Sequence, residues 1–227
     1  MESKEKIQIF DLLKVLDNLK HLKRTGWLHY NVPEPETVAS HMYRMAVLAM
    51  ALDSPVSSPW SSGEKLDVQR CVKMALVHDI GEALVGDITP RCGVADDEKF
   101  RLEEEAIKTI GSYVPAFVRD EWRALWLEYE GASTAEARVV KQLDKLDMIA
   151  QALHYEQRYA INLSEFFASA PIERFTTAPI NEWAQDVHAA HAAWLATTTT
   201  RSDSNPPNNA ANGASDARKT TNSESFL

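Results

Sequence analysis

Apolar residues recur at helical spacing along nearly the whole chain. Phe10, Leu13, Leu16 and Leu19, with Leu12 and Leu22 beside them, make a stripe at i, i+3, i+4 spacing over roughly 7–23. Gly26, Pro33 and Pro35 then break the pattern into a loop. The spacing predicts a second helix over 37–52, a loop at 54–63 and a third helix over 64–85. Gly86 is placed to end that third helix, because glycine tolerates the left-handed conformation at a helix C-terminus. A loop with Pro90 and Gly93 follows at 87–95. The stretch 97–110 reads as an acidic, exposed helix, and Glu103, Glu104 and Glu105 as its solvated face. Pro115 suits the first turn of a helix running to Tyr129, and Gly131 breaks it. Ser133 and Glu136 have capping-box spacing for a long helix through Asp144 to Tyr159. Asn162 and Glu165 mark another start, and Pro179 begins a last helix ending near Leu195. With no alternating strand pattern and no internal repeat, the chain reads as an all-α bundle.

From Thr197 onward the composition turns to Ser, Thr, Asn and Pro, which cannot bury enough surface to offset the entropy of ordering. The expected organisation is a helical domain over 1–196 and a disordered, low-complexity tail over 197–227. Hydrophobic residues at 44% supply a sizeable core. The net charge of −9 argues against a nucleic-acid polymer as partner. A small anionic substrate is compatible with it, since a metal and a few local cations reverse the field inside a pocket. Cys71 reads as a core residue and Cys92 as a loop residue, with neither a disulfide framework nor a CxxC zinc site. That usage fits a reducing compartment. The N-terminal stretch lacks the apolar core of a signal peptide, and no apolar run nears the roughly 18 residues of a membrane span. The expectation is a soluble, intracellular protein, cytoplasmic or nuclear, with no membrane partner.

One apolar stretch carries an anomaly: His78 and Asp79 stand side by side in MALVHDIGEALVGD. A buried ionised carboxylate needs a partner or a metal to offset its desolvation. His41 in TVASHMYRM and Asp144 in KQLDKLDMI lie in helical patterns of their own. Adjacent helical residues project about 100° apart, which still lets both reach one ion. Two imidazoles and two carboxylates suit one divalent ion: Mn, Co, Mg, Fe, Ni or Zn. Alone, a His–Asp dipeptide reads as an ordinary polar pair at a helix end. Here Glu82 shares its face and Asp87 lies just beyond, and three acidic groups so close repel one another without a cation.

Other residues carry less. His188 and His191 are spaced i, i+3 but read more simply as half-exposed. His154 reads as packing or surface, and His21 and His29 as flanking a pocket mouth. Asp147 either supports the site from behind Asp144 or sits on a solvated face. Trp122, Trp126 and Phe166 are open to core or interface roles. HDIGE is not the HExxH of zinc proteases, and GxGxxG, Walker A and GxSxG patterns do not occur. From Ile80 to Leu143 there is no histidine, which disfavours a second, His-rich metal site.

The order His41, His78–Asp79, Asp144 resembles the H…HD…D signature of HD-domain metal-dependent phosphohydrolases. LKRTGWLHYNVPEPETVASHMYRMA, ALVHDIGEALVGDITP and KQLDKLDMIAQALHYE are similar to the HD-domain 5′-deoxynucleotidases, over about 7–195. The resemblance implies an HD-domain helical bundle and a homodimer acting on deoxynucleoside 5′-monophosphates. It implies one metal ion on His41, His78, Asp79 and Asp144, with Glu82 assisting the attacking water. It places Asp87 near the nucleoside sugar, Arg24 on the phosphate and Trp27 against the sugar. Chemistry agrees: a metal polarises a phosphoryl oxygen, Glu82 is near enough to orient or deprotonate water, and arginine binds phosphate bidentately. Arg24 reads equally as a solvated charge and Trp27 equally as a core aromatic. Another small phosphoester as substrate, or a non-catalytic helical interaction protein, stay open as alternatives.

Overall fold

The computed structural model describes residues 7–52 and 66–203, and all of its described elements are helical. Helix α1 spans Ile9–His21 and buries Val15 and Leu19. The expected stripe is rotated: Phe10, Leu13 and Leu16 are exposed, while Leu12 and Leu22 pack against the core. Inside the expected loop lies a short helix, α2 (Thr25–Leu28), whose Trp27 is buried. Helix α3 (Val38–Met50) starts at a capping box in which Thr37 and Ser40 satisfy each other's backbone amides.

The single helix expected over 64–85 is two. Helix α4 covers Val68–Ala75, capped by the Asp67 carboxylate on the Arg70 amide, and α5 covers Glu82–Val85. Between them the amides of Val77, Ile80 and Glu82 bond to carbonyls three residues back, a tighter winding than the α-helix. His78 and Asp79 fall in this wound turn, and Gly81 lets it lie against the Glu103 carbonyl and Ala106, each 3.5 Å from where a Cβ would stand. Gly86 ends α5 at φ 83°, ψ 165°. The loop that follows holds one 3₁₀ turn at Pro90–Cys92. Cys71 is fully buried and Cys92 exposed.

Helix α6 (Asp96–Gly111) is not a solvated helix throughout, because Glu103, Ala106, Ile107 and Ile110 face inward. Helix α7 (Ala116–Gly131) begins at Pro115 and ends where Ala132 turns left-handed, at φ 46°. That ending shifts the next cap by one residue. Thr134, not Ser133, caps α8 (Ala135–Tyr159) through the Ala137 amide, and Glu136 binds the Asp67 amide instead. Helix α8 is the axis of the bundle, packed against α3, α4 and α7 and against two later helices, α9 (Ser164–Ser169) and α10 (Ala178–Asp203). Leu143, Ile149 and Ala152 on α8 are wholly buried. Trp126 joins the core, with Trp122 and Phe166 packed against it.

Helix α10 continues to Asp203, past the end expected near Leu195. The Thr197 and Thr198 hydroxyls bond back to the carbonyls of Trp194 and Leu195 and remain compatible with the helix. Residues 204–227, where the rest of the expected tail falls, and the expected loop at 54–63 lie outside the described residues. Among the described residues no helix is long and apolar enough to cross a membrane.

Gly86 occupies backbone space essentially reserved for glycine, with open space around it. Gly86→Ala is expected to cost about 1–3 kcal/mol in urea unfolding, from backbone strain alone. An unchanged midpoint would show that the turn adapts.

Candidate active site

His41 stands one turn into α3, its amide bonded to the Thr37 carbonyl, and its ring is wholly buried. Its Nδ1 donates to Asp147 Oδ2 at 2.8 Å, and Asp147, itself fully buried, forms an ion pair with Arg44, whose Nε is 2.9 Å from Oδ1. Asp147 therefore supports the site and is not on a solvated face. His41 Nε2 points at Asp144 Oδ1, 3.3 Å away, and lies 3.9 Å from Asp79 Oδ2. His78 Nδ1 donates to the Ala75 carbonyl at 3.0 Å, which leaves Nε2 facing Asp79 Oδ2 at 3.1 Å. A carbonyl and a carboxylate can only accept, so both rings carry a proton on Nδ1 and turn Nε2 inward.

These four residues come from α3, the wound turn and α8, and they converge. Donor atoms of His41, His78 and Asp144 all lie within 4.8 Å of one another. Asp79 Oδ2 is close to both imidazoles by the distances above. Among the described residues, the buried Nε2 atoms of His41 and His78 have no hydrogen-bond partner. Two orphaned nitrogens and two carboxylates aimed at one point fit a divalent cation, and a mixed N/O set is what such an ion takes. Burial opposes a charge on His41, but the carboxylates of Asp144 and Asp147 outweigh it and push its pKa up to about 9. The site thus attracts positive charge in whatever form it comes.

Arg24 supplies some of that charge. Its guanidinium sits 3.3 Å from Asp79 Oδ2 and 3.9 Å from Asp144 Oδ1, largely buried. Burial opposes its protonation, yet Asp87, Asp79, Asp144 and Glu82 together raise its pKa. The reading as a solvated charge is excluded. The backbone holds it there: the Arg24 amide bonds to the Glu36 carbonyl beside an isolated bridge between Lys23 and Thr37. Asp87 Oδ2 accepts the Thr25 amide at 2.7 Å, capping α2. Trp27 donates Nε1–H to Glu36 Oε1 at 2.9 Å, and its ring packs on Tyr155 and Phe166. It is a core aromatic and a pocket wall at once.

Glu82 opens α5, is 4% exposed, and has a buried Oε2 with no hydrogen-bond partner. Burial, with Asp79 and Asp87 adding repulsion, holds its pKa well above the usual carboxylate range. Arg24, Trp27, Asp79, Glu82, Asp87 and Asp144 all line one open pocket of about 970 Å³.

The pocket has members that the sequence did not single out. Glu103 is buried, lines the pocket and pairs with Lys99 at 3.5 Å. Burial pushes its pKa up to about 7 against the pull of Lys99, with Glu130 and Asp79 adding to the rise. The signal was available: Glu103 shares a helical face with Ala106, Ile107 and Ile110. The Tyr129 ring packs at a tilt against the His78 ring, centroids 4.8 Å apart, and its hydroxyl points at Asp144 Oδ2, 3.5 Å away. His29 lines the pocket, whereas His21 and His154 are exposed away from it. His188 and His191 both pack on Phe167 but bond to different groups. His188 bonds the Ala170 carbonyl, while His191 is buried, stacked on Phe167 at 3.6 Å and paired with Glu156, because α10 packs it against α8 and α9.

Residues 16–180 match the HD domain family, and the chain belongs to it. Within that class, it is similar to the human protein named 5′-deoxynucleotidase HDDC2, with 46% identity over 148 residues, 65% of this chain and 68% of the other. The Dictyostelium discoideum protein of the same name is 43% identical over 164 residues, 70% of this chain and 86% of its own. Among solved structures, a conserved hypothetical protein from Pyrococcus furiosus is 37% identical with a TM-score of 0.61, covering 78% of this chain and 99% of that one. A predicted metal-dependent phosphohydrolase from Magnetospirillum magnetotacticum, 22% identical over 82% of this chain and 94% of that one, shares the fold with a TM-score of 0.60.

Asp147→Ala removes the acceptor that orients His41. Mn²⁺ affinity measured by calorimetry is expected to fall roughly 10–100-fold with the fold intact. Unchanged affinity would take Asp147 out of the site.

Proposed function

We propose that this chain is a metal-dependent 5′-deoxynucleotidase, hydrolysing deoxynucleoside 5′-monophosphates to deoxynucleosides and phosphate. The observation that carries this reading is the pair of buried, unpartnered Nε2 atoms facing Asp79 and Asp144 under a pocket walled by Arg24. The names of the relatives above, which match at 46% and 43% identity, supply the substrate class.

In this reading His41, His78, Asp79 and Asp144 hold one divalent ion. When bound, such an ion polarises a phosphoryl oxygen and lowers the pKa of water beside it. The other steps belong to the chain. Arg24 offers a planar, desolvated guanidinium to the phosphate oxygens. Trp27 gives the sugar an apolar wall, and Asp87, with one oxygen on the Thr25 amide, keeps the other for a sugar hydroxyl. Glu82, with its raised pKa, takes the proton of the attacking water at Oε2. Water oxygen bonds to phosphorus, the bond from phosphorus to the 5′ oxygen breaks, and the nucleoside leaves with a proton. A homodimer accompanies this reading, and the exposed Phe10, Leu13 and Met50 on α1 and α3 supply apolar surface for it.

The test is phosphate release by the full chain with Mn²⁺ or Co²⁺ from dAMP, dGMP, dCMP, dTMP and dUMP, with ribonucleotides beside them. Hydrolysis of the deoxy series is expected. Glu82→Gln should lower kcat about 10²–10⁴-fold while metal binding persists. Asp79→Ala should lose both. Equal turnover of ribonucleotides would defeat the deoxy assignment, and activity surviving in Asp79→Ala would defeat the site.

A further inference from the structure

The pocket holds more positive charge than one phosphate needs. Of its basic lining residues, Arg24 pairs with Asp79, Arg91 with Glu165, Lys99 with Glu103 and Lys145 with Asp144. Arg138, Lys141 and Arg174 line the same pocket and have no carboxylate within ion-pair distance among the described residues. That is notable in a chain with 33 acidic and 24 basic residues. Residues 138, 141 and 145 share one face of α8. Lys145 stands 3.1 Å from Asp144, so this row begins at the metal centre. Lys141 follows about 6 Å along the helix axis and Arg138 about 10 Å along it. The Tyr129 ring, 4.0 Å below Lys141 Nζ, holds that ammonium in place. Arg174 joins from the 3₁₀ turn Ile172–Arg174. The volume of 970 Å³ lies at the upper end of the roughly 300–1,000 Å³ of small-molecule pockets. Unpaired cations gathered in a concavity focus an attractive field on anions.

We propose that Arg138, Lys141 and Arg174 form a second phosphate subsite, so that the pocket favours nucleotides bearing a second phosphate group over monophosphates. This rests on the reading that the first phosphate sits beside Arg24. The second phosphate can be attached in two ways, on the 3′ oxygen of the sugar or on the first phosphate, and the shared chemistry is a further dianion one helical turn or more from the metal centre.

The test is calorimetric binding to the full chain in Mn²⁺, with dAMP analogues whose 5′ ester oxygen is replaced by methylene and so resist hydrolysis. Three probes are compared: the plain analogue, its 3′-phosphate, and the form extended by a second phosphate at the 5′ end. At least one doubly phosphorylated probe is expected to bind roughly tenfold tighter than the plain one, and the favoured probe identifies the attachment. The preference should shrink in high salt. In R174Q and in R174Q/K141Q it should fall away, with the plain analogue bound as before. Arg174 is exposed, so R174Q is expected to leave folding unchanged, checked by circular dichroism. Equal affinity for all three probes, or a preference that survives the double substitution, would overturn the subsite. Failure of the parent reading is separate: it shows as no phosphate release from dAMP, whatever the probes do.

Discussion

Asp79 and Asp144 are carboxylates drawn largely out of water onto opposite sides of one small space, and the bundle is arranged around making that tolerable. Their mutual repulsion and lost hydration would each raise their pKa values. Both are nonetheless held below the ordinary range, by the imidazole of His78 and the guanidinium of Arg24 at Asp79, and by Lys145, His41 and Arg24 at Asp144. Breaking such a buried set by removing one partner leaves an uncompensated charge, which is far more damaging than replacing the whole set. The constraint propagates outward. His41 is useful only if Asp147 orients it, the buried charge of Asp147 is offset only if Arg44 reaches it, and Arg24 is placed only if Lys23 and Thr37 pair.

The same economy explains why one region repels protons and another collects them. Glu82 and Glu103 are buried beside other acids and lie well up the pH scale, while Asp79 a few residues away lies well down it. Neighbouring carboxyls pushed in opposite directions is the arrangement by which a site separates groups that bind charge from groups that move protons. The division follows from what each oxygen faces: cations for Asp79, and apolar packing with like charge for Glu82.

Much of this was legible in the order of residues. The helical period identified an all-α bundle, and the His41, His78–Asp79, Asp144 spacing brought together residues that do meet. Gly86 marked a real helix end because its backbone conformation leaves no alternative. What escaped was local hydrogen-bond competition. Nothing in the apolar period of 64–85 signalled that the chain winds tightly after Ala75, since Val77 and Ile80 are buried in either winding. Thr134 and Ser133 are equivalent caps by composition, and the left-handed Ala132 chose between them. Glu103 was hidden among two acidic neighbours that do face solvent. The basic row on α8 was invisible because lysines at 141 and 145 look like any solvated helix face until the pocket beside them is seen.

Helix α8 carries Asp144 toward the cation site, Asp147 toward His41 and Lys141 toward the Tyr129 ring, all within two turns of one continuous rod. Inserting or deleting a single residue there would swing everything downstream by about 100°. Length is therefore frozen along 141–147 in a way that side-chain chemistry is not. Loops elsewhere in this fold can grow or shrink, but this segment works as a ruler, and the spacing of its marks matters as much as what is written on them.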